Sequence, residues 1–167
     1  MQTSIFSIQV DPNLIPDEDL APLLAALQDF EPVLEDFGRT IAGGEKAAFA
    51  SQGGEYGQEW AALAPSTVLD RFRHGFGPNQ PLVRTGALAS SIGEAVSLTP
   101  DSVQVGIDTG AVPYAGYLQG GTRKMPARLL VALTDDMIDQ MMQTLRAYLA
   151  GVTGGDLSGI TITAETG

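Results

Sequence analysis

Glu55 and Glu59 stand four residues apart, a spacing that would put both carboxylates on one face of a helix. Paired carboxylates are the equipment of glycoside hydrolysis, one as general acid and the other as base or nucleophile. That chemistry needs them across a cleft, about 5–9.5 Å apart. Here the glycine-rich loop Gln52-Gly53-Gly54-Glu55-Tyr56-Gly57 borders the pair. One carboxylate is expected to face water, so a wall-degrading hydrolase is the remote reading. His74 is the one histidine, in a loop from His74 to Gln80 with Gly75, Gly77 and Pro78, and no Ser, Cys or second His stands beside it. It is expected to be exposed and without a catalytic role. There is no cysteine, which removes disulfides and thiolate metal sites. Neither an enzyme nor a cofactor or metal is expected.

What remains chemically distinctive is the distribution of charge. The net charge is −11. Before Arg39 there is no Lys or Arg, yet Asp11, Asp17, Glu18, Asp19, Asp29, Glu31, Glu35 and Asp36 all fall there. The bases come later, as Arg71, Arg73 and Arg84, then Arg123, Lys124 and Arg128. An acidic protein repels nucleic acid at long range, so tight duplex binding is not expected and only loose local phosphate contact is. At 44% hydrophobic and 17% charged the 167 residues suit a folded domain with a real core. The absence of a run of eighteen apolar residues argues against a membrane span, and the start, Met-Gln-Thr-Ser-Ile-Phe, argues against a secretory leader.

These charges must be carried by a mixed framework. Ser4 to Val10 reads as a strand ended by Asp11-Pro12-Asn13. A helix is expected from Leu20 to Phe30, capped by Asp19, with Pro22 in its first turn. A second should run from about Pro32 to Ser51, broken or kinked at Gly43-Gly44 unless that pair admits a close neighbour. Trp60, the one tryptophan, is a core anchor. Burying roughly 150–250 Å² of it is a gross gain of about 4–6 kcal/mol. Ser66 or Thr67 should cap a short helix through Phe72. Pro81 to Ile92 is the stretch around which the chain is organised: a Pro-led loop, Thr85 as N-cap, and Leu88 and Ile92 on one helical face. A hairpin spans about 95–107 around Thr99-Pro100-Asp101. Pro113 to Gly121 is short and helical or irregular, and Leu129 to Leu133 is a buried strand or the entrance to the last helix. That helix starts at a Thr134 cap, carries the stripe Met137, Ile138, Met141, Leu145, Tyr148 and Leu149, and stops at Gly151. The expected class is α+β: a small antiparallel sheet with a central hairpin, packed against N-terminal and C-terminal helices. It forms one domain over 1–151 and a Gly-rich tail or arm over 152–167. Ile160-Thr161-Ile162-Thr163 in that tail is expected to pair only with a neighbour, and to be disordered in a free monomer.

Four pieces in order carry a resemblance. They are Phe49 with Gly57-Gln58-Glu59-Trp60-Ala61-Ala62-Leu63 and Ser66-Thr67; Pro81-Leu82-Val83-Arg84-Thr85-Gly86-Ala87-Leu88 with Ser91-Ile92; Val103-Gln104-Val105-Gly106 with Tyr114-Ala115, Gln119 and Gly121-Thr122; and Met125-Pro126-Ala127-Arg128 leading to Thr134. Over roughly Leu20 to Leu149 the chain resembles the phage virion-morphogenesis, or tail-completion, family, which includes the Mu-type tail completion protein and is related to siphophage head–tail joining proteins. It departs at Leu129-Leu130, where the family often has Pro-Phe.

The resemblance implies a structural virion protein of the neck or tail end, assembled in the host cytoplasm and acting as an oligomeric ring, six-fold by expectation, with no cofactor and no turnover. Its partners would be copies of itself, the tail terminator or tail tube, and head–tail connector or adaptor proteins, with passing genomic DNA touched only loosely and no membrane. A tail terminator or head-side adaptor is the alternative. A head-to-tail ring needs two complementary patches per subunit. The candidate surface is therefore Arg71, Arg73, Arg84, Tyr114, Arg123, Lys124 and Arg128 on one side, and Asp17, Glu18, Asp19, Glu35 and Asp36 on the other.

Overall fold

In the computed structural model the described residues are 4–77, 80–93 and 95–166. Pro78 of the expected loop and the first three residues of the segment read for a leader lie outside them. The described chain is α+β. In order it forms β1 (Ser4–Val10), α1 (Asp17–Ala26), α2 (Glu31–Ala50), α3 (Pro65–Arg73), α4 (Ala87–Ser91), β2 (Ala95–Thr99), β3 (Ser102–Gly106), α5 (Ala115–Gly120), α6 (Asp135–Val152) and β4 (Ile160–Thr166), with 3-10 turns at Pro12–Leu14 and Gly54–Tyr56. The strands make two separate antiparallel pairs rather than one sheet, β1 with β4 and β2 with β3. The chain divides into two compact units, one from Met1–Thr40, Ser97–Val103 and Leu133–Gly167, the other from Ile41–Val96 and Gln104–Ala132.

In the first unit the expected disordered tail is instead β4, paired within its own chain. The register runs from Ser4 opposite Thr166 to Val10 opposite Ile160. It sets Phe6 against Ala164 and Ile8 against Ile162 on the inner face, and Ser7 against Thr163 and Gln9 against Thr161 on the exposed one. This period-2 match of apolar with apolar selects the pairing. The α6 helix packs on β4 and on α1. Its Thr134 cap accepts from Met137 N, and Met137, Met141, Leu145 and Leu149 are buried on one stripe. The helix runs through Gly151 to Val152, so that glycine is not its stop. The α1 helix begins at Asp17, earlier than expected, with Pro16 as cap and three acids in its first turn favoured by the helix dipole. Pro22 consequently lies in the helix interior rather than the first turn. Phe6 stacks at 5.2 Å from Phe37, and Tyr148 OH donates to Asp29 O at 2.9 Å.

The second unit is built on Trp60, which is 7% exposed and clusters with Leu88, Val112, Ala115 and Leu130. Phe49 meets the indole edge-to-face at 5.0 Å, and Nε1 donates to Leu129 O at 2.9 Å. Leu129 to Leu133 is neither strand nor helix. Gln119 takes the place of a neighbouring strand: its Oε1 accepts from Leu130 N and Val131 N, and its Nε2 donates to Val131 O. A side-chain amide carries both a donor and an acceptor, so it satisfies irregular buried backbone that would otherwise need a ladder. Unbroken helix continues through Gly43-Gly44, where a break was expected. Burial of Gly44, Glu45 and Ala48 on its inner face outweighs the propensity cost of about 1 kcal/mol per glycine.

Glu45 has no exposed surface. Its Oε2 accepts from Gly93 N at 2.9 Å, while Oε1 has no hydrogen-bond partner. Burial raises its pKa above the ordinary 4.5, against the opposing pull of the Gly93 N–H and Lys46. A carboxyl whose folded pKa exceeds its unfolded one contributes stability below the unfolded value and loses it as pH rises through the folded value. The melting temperature of Glu45→Gln, measured relative to the parent at each pH, should therefore rise as pH climbs from 4.5 toward neutrality. A difference that stays flat over that range would show that Glu45 does not titrate abnormally.

Candidate assembly interface

The α3 helix begins at Pro65 with Ala64 as its cap, so neither Ser66 nor Thr67 serves, and the fixed proline φ suits a first helical position. Its inner side is held by Val68 and by Arg71, which is only 6% exposed. Arg71 NH1 donates to Gln80 O at 2.8 Å and to Val83 O at 3.0 Å. Between those two carbonyls Leu82 sits at φ +64, an uncommon conformation for leucine, and the guanidinium holds the loop in it. Arg84 braces the same corner, 4.6 Å over the Phe76 ring and 3.8 Å from Asp70. Gly86, at φ +84, rather than Thr85, is the cap of α4; Thr85 Oγ1 accepts from Ala87 N only at 3.4 Å.

With its inner side so fixed, α3 turns Pro65, Leu69, Phe72 and Arg73 outward, positions that share one helical face. Phe72 is 80% exposed. Two of the expected surface cations are therefore not at the surface. Arg71 is spent on the loop carbonyls, and Arg128 is buried, its NH2 donating to Ala61 O at 2.9 Å and its pKa lowered by burial. Arg73, Arg84, Arg123 and Lys124 are exposed, the last two at the tip of a narrow turn closed by the Thr122–Met125 bridge. Tyr114 is half exposed beside Tyr117 on α5.

Among the acids, Asp17, Glu18 and Glu35 are exposed, and Asp19 and Asp36 are partly covered. Arg39 neutralises part of this group, 3.2 Å from Glu35 and 3.3 Å from Asp36, whose other oxygen accepts from Thr144 Oγ1. The open acid is thus Asp17 and Glu18 at the head of α1, beside exposed Ala21 and Leu24. The exposure of Leu24, which sequence groups with Leu20, Leu23 and Leu27 as one apolar set, and of Leu69 and Phe72 was not foreseen from sequence. The spacing of Leu69 and Phe72 fits an inward stripe as well as an outward one until the burial of Arg71 decides, and on α1 it is the burial of Leu23 and Ala26 that leaves Leu24 outside.

Glu55 and Glu59 share no helix: one lies in the 3-10 turn and the other in the irregular segment before α3, both exposed. His74 follows α3, exposed, its Nδ1 donating to Asp70 O at 2.8 Å. Among the described residues no group of acidic or histidine side chains is placed to hold a metal, and no helix is long and apolar enough to cross a membrane.

The profile of the phage virion morphogenesis family matches residues 17–150, and the chain belongs to that family. The family is a structural one, and a structural role in building the virion is accordingly this chain's. Neither the curated proteins nor the solved structures contain a match to the chain.

Proposed function

We propose that the chain completes the neck end of a phage tail as a ring of identical subunits, six-fold by expectation, seated between the tail tube or terminator and the head–tail connector or adaptor. The observation that supports this most directly is the partition of charge. Asp17 and Glu18 are open on α1, in a unit whose exposed cations are Arg39 and Arg146, whereas Arg73, Arg84, Arg123 and Lys124 are exposed on the other compact unit. Two unlike patches on one chain make a heterologous contact, which closes into a ring when the rotation permits. Complementary charge then sets register and partner choice more than affinity. Surplus acid facing the lumen would repel the passing duplex.

Light scattering of the purified protein tests the charged contact. Assembly should weaken as salt rises from about 0.05 to 0.5 M, since screening shortens the reach of exposed charges. Arg73→Glu should weaken it further, with Asp17→Arg partly restoring the double variant. Assembly indifferent to both salt and Arg73→Glu would overturn the electrostatic ring. Particles lacking the protein should show unfinished tails; finished tails on unjoined heads would instead favour a head-side adaptor.

A further inference from the structure

Resting on the self-association reading, we infer that the apolar stripe Leu69–Phe72 of α3 is the anchor of the subunit contact, and that it docks on the Ala21–Leu24 face of α1 in a second copy of this chain. The α3 stripe is the outward face of a helix whose inner face is fully engaged. Val68 and Arg71 point inward, and the Arg71 fork and the Arg84 brace fix the helix to the 80–84 loop. Phe72 is therefore exposed on a helix that these contacts anchor, so covering it restricts the side chain's own two torsions without having to order the backbone.

The α1 face has the complementary character. Leu24 is 52% exposed and shares its face with Ala21 and Asp17. Asp17 and Glu18 border this face, and no basic residue precedes Arg39. The α3 stripe ends in Arg73. One face thus offers a large apolar group with a cation, the other an exposed apolar surface with anions. Leu24, Leu69 and Phe72 are all exposed. That is the pattern of a contact between copies, an apolar centre with a charged rim.

The chain has no cysteine, which makes a directional test possible. Leu24→Cys and Phe72→Cys proteins, each alone and then mixed, are treated with a short thiol-to-thiol cross-linker, while Phe72→Ser and the parent are compared by sedimentation over a range of concentrations. The expected result is a covalent dimer in the mixture and in neither single variant. Phe72→Ser should associate about thirty-fold or more weakly than the parent, as for loss of a central interface aromatic, with an unchanged circular dichroism spectrum. A parent that assembles while the mixture gives no dimer, or while Phe72→Ser assembles undiminished, overturns the α3–α1 contact and leaves self-association standing. Cross-linking of Phe72→Cys to itself overturns it in favour of a symmetric contact. A parent that stays monomeric at every concentration and salt overturns both readings, and points to a different virion protein as the occupant of the stripe.

Discussion

Trp60→Ala is expected to lower the unfolding free energy by about 3–5 kcal/mol, the range for deleting a buried large aromatic. Several losses coincide at this side chain. The indole is nearly fully buried among Leu88, Val112, Ala115 and Leu130. Its edge-to-face contact with Phe49 is worth about 0.5–1.5 kcal/mol beyond the area buried. Its N–H is the donor to Leu129 O, a carbonyl in the irregular segment that no ladder supports. Trp60→Phe keeps a ring but strands that carbonyl, and should fall between parent and alanine variant. Because domains are stable by only about 5–15 kcal/mol, the alanine variant should sit near the edge of folding. Urea titration followed by circular dichroism measures this, since the variant has no tryptophan to fluoresce. A loss below about 1 kcal/mol, the ordinary effect of a point change, would remove Trp60 as the anchor of its unit.

The second large effect is expected at Gly121, which terminates α5 with φ +70 and ψ 179, a conformation open to glycine almost alone. A Cβ there would lie 2.7 Å from Ala127 N and 3.0 Å from Ala127 Cα. The obstruction is backbone and cannot swing aside. Gly121→Ala should cost about 1–3 kcal/mol for the conformation and a further ~1–3 kcal/mol for the crowding. The damage would spread to neighbouring contacts, because the Thr122–Met125 bridge and the Arg128 N to Leu118 O bond both depend on this reversal of the chain. Gly116→Ala, inside α5 with no atom near its would-be Cβ, is the control and should be neutral or slightly stabilising. Equal urea midpoints for the two variants would refute the requirement at Gly121.

What could be read from the sequence was local. Thr134 with Asp135 and Asp136 announces a helix start because a cap acts over three residues. Ala95 to Gly106 announces a hairpin because Pro100-Asp101 sets the turn, which Thr99 then ties by donating to Asp101. The family-bearing motifs fall in the same category, being short and ordered. What could not be read depends on where distant backbone passes. Arg71 counts as a surface cation until the loop carrying Gln80 and Val83 is folded over it. Leu129 to Leu133 resembles a strand until Gln119 is seen to supply the missing partner. Gly43-Gly44 looks like a break until the packing of its inner face is counted. The candidate interface was half legible for the same reason: charge counts show which segments are acid or basic, but not which side chains stay in water.

The pairing of β1 with β4 has a consequence for synthesis. Ribosomes deliver a chain from its N-terminus, so β1 must wait until everything between it and β4 has been made before its partner arrives. During that interval Phe6, Ile8 and Val10 belong to an open strand edge, the kind of surface on which one nascent chain can capture another. Closing the ladder removes the edge, and it clasps together two stretches far apart in sequence, the earlier of which stays open until the later is made.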